Sequence, residues 1–252
     1  DAFSLFIKSK LITSFISRIW NFSNHFYHAS SIYVVTDRFL PWVYTRNPQV
    51  KPIILPIGSS IVPSLKTIKF KSDYIQLSYI GGFSASYDLI TIIQATIRLN
   101  SISSFYKYKL DLIGSGESFD ELYSQYSHYE FINFHGFLSF ADSTKILRNA
   151  DIAINPVLSR SHAGITNKIC HYLGLSLPII SSRYSPEVND LMKTLSMPLY
   201  DSGDQLSLSN SLLSISNPEE LQHLSDAAYS YYKAYLYRPN SYRSLFELFI
   251  NR

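Results

Sequence analysis

The chain has 252 residues, 46% of them hydrophobic and 16% charged, and a formal net charge of +3. That composition belongs to a soluble globular protein of one large or two small domains and excludes a disordered chain. The lysines and arginines are scattered without a run, which argues against a nucleic-acid partner, and the single cysteine, Cys170, permits no internal disulfide and suits a reducing compartment. No apolar run approaches the roughly 20 residues of a membrane-spanning helix. Asp1 and Ala2 open the chain without an initiating Met or the basic start of a signal peptide, so it reads as a fragment.

From residue 74 the pattern alternates strand and helix. In chain order it predicts a strand over 74–80, a helix over 87–99, a strand over 108–113, a helix over 118–126 and a short strand over 131–134. The rhythm repeats with a helix over 143–148, a strand over 151–154, a helix over 165–173, a strand over 178–181 and a helix over 186–194. Such alternation, with strands of near-continuous Ile, Leu and Val, predicts an α/β fold: a doubly wound, Rossmann-like parallel sheet flanked by helices. Ligands of such sheets lie beyond the carboxyl ends of the strands.

Small and turn-forming residues collect at those ends. Gly81, Gly82 and Phe83 follow the first strand, Gly114, Gly116 and Glu117 the second, His135 and Gly136 the third, and Asn155 and Pro156 the fourth. Neither GGFSAS nor GSGESF completes G-x-G-x-x-G, so a dinucleotide fingerprint is absent. The segment 159–182 reads as polar loop, glycine, helix, proline and apolar strand. Gly164 removes bulk just before the periodic run Ile165, Ile169, Tyr172, Leu173, which leaves first-turn N–H groups open to a phosphate, and Lys168 adds a positive charge. No Asp-x-Asp or histidine cluster with metal-ligand spacing occurs at any strand end, so metal-independent binding and no cofactor are expected.

Six motifs in order carry a resemblance. They are LPIGSS (55–60), SYIGGFSASYDLITIIQA (78–95), KLDLIGSGES (109–118), FINFHGFLSFADSTKILRNADIAINPV (131–157), GITNKICHYLGLSLPIISS (164–182) and SPEVNDLM (185–192). Together they resemble the donor-binding, C-terminal domain of retaining glycosyltransferase family four, which has the GT-B fold, and its bacterial surface-polysaccharide members in particular. The resemblance implies that residues 1–60 are the end of the N-terminal, acceptor-binding domain, with an amphipathic helix over 6–22, a strand over 32–35, a helix over 38–44 and a strand over 52–55. It implies a donor-binding domain over 61–237 and a last helix within 238–252 that crosses back to the first domain, with closing helices over 217–237 and 242–250. Lys8, Lys10, Arg18 and Trp20 would let the 6–22 helix touch an anionic membrane or, alternatively, pack under its own sheet.

By the same resemblance the substrate is a nucleotide-diphosphate sugar, the acceptor a glycan or lipid-linked saccharide of a cell-surface polysaccharide such as a capsule, and the place cytoplasmic, at the inner face of the plasma membrane. Gly164, Ile165, Thr166, Asn167 and Lys168 would meet the pyrophosphate, with the Gly81 and Gly82 loop and Phe83 on its other side. Gly114, Gly116 and Glu117 would border the base, the stretch from Asn155 to His162 the sugar, and His135, Gly136 and Glu187 the rest of the donor site. The resemblance assigns no catalytic residue here. The family's paired glutamates with seven residues between them fall on Ala163 and His171, and no cation follows the first glycine loop. An ionised carboxylate accepts two ribose hydroxyls, whereas a neutral imidazole accepts one bond through one nitrogen. The departures leave open a second reading, a non-catalytic GT-B subunit that binds a glycan or partner protein. A sugar-nucleotide epimerase of this architecture suits the Asn-Lys and Tyr-Asp-Leu pattern poorly.

Overall fold

The computed structural model describes residues 29, 31–68, 74–103, 106–159 and 164–250. The helix expected over 6–22 lies outside them, as do His162 and Ala163. The chain divides into two units, Asp1–Pro56 and Ile57–Arg252, with 238–252 in the second.

In the first unit β1 (Tyr33–Val34) pairs in parallel with β2 (Ile53–Ile54). Between them a 3-10 turn, Asp37–Phe39, leads into α1 (Leu40–Arg46), whose Pro41 sits in the first turn where its missing N–H costs nothing. Ile32, Val34 and Val43 form a small core.

The second unit is built on six strands: β3 (Tyr74–Ile80), β4 (Lys107–Ile113), β5 (Ile132–Gly136), β6 (Ile152–Asn155), β7 (Ile179–Ser182) and β8 (Leu199–Tyr200). Their order is β5-β4-β3-β6-β7-β8, and every neighbouring pair is parallel. The connecting helices are α2 (Leu89–Ile102), α3 (Phe119–Tyr126), α4 (Phe140–Asn149), α5 (Asn167–Gly174), α6 (Pro186–Thr194) and α7 (Gln205–Ser214). Then come α8 (Pro218–Tyr231), a π turn (Tyr232–Leu236), α9 (Arg238–Ser241) and α10 (Arg243–Ile250). Every residue of β6 and of β7 is buried, as expected for parallel strands covered on both faces.

Local chemistry sets where the helices begin. Asp88 caps α2 by accepting from Thr91 N–H, Ser139 caps α4 through Asp142 N–H, and Ser185 caps α6 through Val188 N–H. The strand order is that of a doubly wound sheet: the chain runs outward from β3 to β5, crosses back, and runs outward again from β6 to β8. The crevice above the carboxyl ends of β3 and β6, where the two directions diverge, is where such sheets bind ligands.

Two details differ from the sequence reading. His135 and Gly136 are the last residues of β5 and not part of the loop after it. The helix expected from Ile165 begins at Asn167, because Thr166 adopts an extended conformation (φ −96°, ψ 163°) while Ile165 packs against the core.

Candidate functional site

A cavity of about 700 Å³ opens at the β3/β6 crevice. Ile80 and Gly81 line it from the end of β3, Asn167, Lys168 and His171 from α5 with its N-cap Thr166, and Phe140 from the start of α4. Tyr87, the 58–61 segment and Arg238 also line it, and no described residue of the lining is a carboxylate.

The start of α5 is built to receive an acceptor. Cys170 N–H makes the first helical bond, to Thr166 O, so Asn167, Lys168 and Ile169 keep N–H groups with no intrahelical partner. Thr166 holds the N-cap position yet makes no cap bond, and its Oγ1 is buried without a partner. The first-turn amides therefore face the crevice with the positive end of the helix dipole and, among the described residues, no protein oxygen to satisfy them.

Lys168 supplies the charge. Its Nζ lies 3.6 Å from the Tyr87 ring centroid and 4.5 Å from that of Tyr79, and it donates to Tyr79 Oη at 3.3 Å. The residue as a whole is half-buried, but the amine is enclosed between the two rings, and this burial pulls its pKa down to about 7. Gly81 makes room for it: a Cβ there would stand 2.7 Å from Lys168 Nζ and 2.6 Å from Tyr79 Oη, at a φ of +154° that side chains rarely adopt. The lysine makes no ion pair among the described residues, so its amine is held by two aromatic faces and one hydrogen bond to a neutral hydroxyl.

His171 lies one turn along the same helix, three residues on. Its ring stacks on Phe140 (centroids 4.8 Å apart, planes 23° apart) and its Nε2 is 3.1 Å from Thr144 Oγ1. Thr144 Oγ1 donates to Phe140 O at 2.6 Å, so that hydroxyl must accept from His171 Nε2–H. Nδ1 then carries the bare lone pair. Burial, with Arg148 adding to it, lowers the His171 pKa to about 4 and keeps the ring neutral at physiological pH. It offers one acceptor, as a neutral imidazole should.

Of the residues singled out from the sequence, Gly81, Thr166, Asn167, Lys168 and His171 meet in this cavity; the others among the described residues do not line it. Phe83 is a correction: its ring is wholly buried against Phe119 (5.1 Å) and its N–H donates to Ser115 O, so it joins loops and exposes no surface for a ligand. Gly114 and Gly116 also hold the loops together. A Cβ on Gly114 would fall 1.8 Å from Gly81 O, and Gly81 N–H donates to Ile113 O. Glu117 accepts from Ala85 N–H at 3.1 Å and braces the same loop.

His135 is tied by Nε2 to Asp111 Oδ1 at 2.8 Å, in a network with Gln76 and Asn133 along the sheet. Gly136 O accepts from Gly114 N–H, which joins β5 to the second glycine loop. Gly164 and Ile165 precede the helix, and Gly164 O accepts from Tyr184 Oη–H at 3.0 Å. Glu187 stands in the first turn of α6, where its charge bears on Cys170 and Tyr231. Asn155, expected near the sugar, is buried in the sheet and donates to Ser181 Oγ. The sequence reading missed Tyr87 as the second face of the lysine cradle, Phe140 as the stacking partner of His171, and Arg238. Among the described residues no group of three His, Cys, Asp or Glu side chains could hold a metal ion, and no helix is long and apolar enough to cross a membrane.

No curated protein sequence matches the chain. Solved structures do resemble it in fold. A sucrose-phosphate synthase from Thermosynechococcus elongatus has a TM-score of 0.69 at 12% identity, over 97% of this chain and 64% of its own. The pneumococcal O-GlcNAc transferase GtfA in complex with UDP and GlcNAc gives 0.67 at 14%, over 90% and 47%. Anabaena HepE in complex with UDP and glucose gives 0.67 at 11%, over 89% and 64%. The chain thus spans between about half and two thirds of the length of these GT-B relatives. A family model described as glycosyl transferases group 1 matches residues 75–216, which contain the parallel sheet and α5, and the chain belongs to that family.

Proposed function

We propose that the chain binds the donor of a glycosyl transfer, a nucleoside-diphosphate hexose, and passes the sugar to a glycan or lipid-linked acceptor in cell-surface polysaccharide synthesis. One observation carries the reading: a lysine amine without a carboxylate partner among the described residues, given room by Gly81, stands beside the uncapped first turn of α5 in a cavity whose described lining holds no carboxylate. The UDP named with GtfA and HepE supports it by analogy of fold. In this reading residues 1–60 are the end of the acceptor-binding domain.

As the anomeric bond breaks, charge builds on the leaving diphosphate. The amides of Asn167, Lys168 and Ile169 and the Lys168 ammonium meet that charge in fixed positions, worth several kcal/mol without a metal. His171 Nδ1 accepts one ribose hydroxyl. A retaining outcome follows the resemblance of the motifs alone.

A thermal-shift panel with UDP, GDP, ADP and their sugars tests the reading. A ligand at 100 times its dissociation constant stabilises by about 2.7 kcal/mol. One nucleotide series should raise the melting temperature, and a panel in which none does so would refute donor binding.

A further inference from the structure

The cavity has a wall that the donor reading leaves unused. Residues 57–61 and 236–238 run side by side: Ser59 N–H donates to Leu236 O at 2.9 Å and Arg238 N–H donates to Ser59 O at 3.0 Å. Tyr232 Oη–H, shared between Ser59 O (2.9 Å) and Ile61 O (2.8 Å), and Tyr242 Oη–H on Ile57 O at 2.8 Å brace the pairing. This wall carries Arg238 to the cavity lining, where Lys168 is the other cation among the described residues. Arg238 Nε donates to Ile57 O at 3.2 Å, which orients the guanidinium. Its two Nη groups make no hydrogen bond or ion pair among the described residues. The arginine also stands close enough to α5 for its charge to favour the Cys170 thiolate.

A lysine is a point charge and meets one phosphoryl group well, whereas a diphosphate distributes its charge over two. A guanidinium held at Nε presents two parallel N–H donors that fit a phosphoryl edge. We infer that Arg238 is the second cation of this anion site: its Nη pair holds one phosphoryl group of a diphosphate whose other group sits on the first turn of α5 and Lys168. The cavity then selects two-phosphate ligands over one-phosphate ligands. The inference rests on the reading of this cavity as the donor site and names the residue that sets its phosphate count.

Inorganic pyrophosphate and inorganic phosphate, titrated calorimetrically into the parent chain, Arg238→Gln, Arg238→Lys and Lys168→Gln, test it without reference to the base. Arg238→Gln should weaken pyrophosphate by at least about tenfold, the least expected for a lost charge-assisted bond, and change phosphate by less than about twofold. Arg238→Lys should fall between parent and Arg238→Gln, and Lys168→Gln should weaken both anions. If Arg238→Gln binds pyrophosphate like the parent while Lys168→Gln does not, the inference is overturned and the donor site stands. An equal loss of both anions in Arg238→Gln, with a lowered melting temperature, also overturns it, since that is the mark of a structural arginine. If the parent binds neither anion, the donor reading falls with it.

Discussion

Replacing Lys168 by Met keeps the stem of the side chain between Tyr79 and Tyr87 and removes the charge. If the amine meets the diphosphate, its loss should weaken nucleoside-diphosphate binding by about 1.5–3 kcal/mol, the range for a hydrogen bond to a charged group. The structure adds a pH signature. In the free chain burial holds the amine at about 7, so it is half protonated at pH 7 and about one-hundredth protonated at pH 9. A bound diphosphate favours the ammonium and draws the pKa up again, so binding above pH 7 takes up a proton. Affinity should fall by about tenfold from pH 7 to 9, limited by the total contribution of the charge. Burial raises the hydroxyl pKa values of Tyr79, Tyr87 and Tyr172 around the amine, so none of them titrates in this window. Calorimetry at several pH values, in buffers of different ionisation enthalpy, reads both affinity and proton uptake. Lys168→Met should bind weakly and show no pH slope. A parent whose affinity does not change from pH 7 to 9, with Lys168→Met binding as tightly, would refute the reasoning.

Three further outcomes are expected. His171 is held near 4 when folded and near 6.5 when unfolded, so the unfolded chain takes up its proton first as pH falls. Stability present above pH 6.5 should decline by up to about 3 kcal/mol toward pH 4, and His171→Gln should flatten that slope in urea titrations; equal slopes would count against a buried neutral ring. Gly114→Ala should destabilise by at least about 3 kcal/mol in thermal unfolding, because its Cβ would meet Gly81 O at 1.8 Å at a φ of +140°; a parent-like melting temperature would show that the glycine loops can separate. EDTA should leave nucleotide affinity unchanged, and a requirement for Mn²⁺ or Mg²⁺ would mean that the helix and lysine do not suffice.

Much of the sheet could be read from the sequence because its strands are short apolar runs stopped by glycine or proline. β3 coincides with the expected 74–80 because Tyr-Ile-Gln-Leu-Ser-Tyr-Ile is followed at once by two glycines. The helix at 186–194 was equally plain, with Pro186 in the first turn and Ser185 as its cap. By contrast β8 is two residues long, and α7 alternates Leu and Ser without a clear apolar stripe, so neither announced itself. The site was legible where it is local. Lys168 and His171 share a helix face by spacing alone, and both line the cavity.

What escaped is tertiary. Phe83 follows two glycines and so looks like loop, yet its ring anchors an aromatic cluster with Phe119 and Phe134. Tyr87 reaches Lys168 because Asp88 N–H donates to Pro156 O and Leu158 N–H to Ser86 O, a pairing of two loops far apart in the chain. Arg238 stands 70 residues beyond Lys168 and reaches the cavity through the hydrogen bonds between 57–61 and 236–238. No spacing rule foretells such contacts.

The central claim is that the first turn of α5 and Lys168 hold a diphosphate. An experimental structure of the chain with a bound nucleoside diphosphate tests it most directly. The account predicts phosphoryl oxygens within hydrogen-bond distance of the Asn167–Ile169 amides and Lys168 Nζ, with the ribose toward His171. A nucleotide bound elsewhere, or with its phosphates turned away from α5, would contradict it.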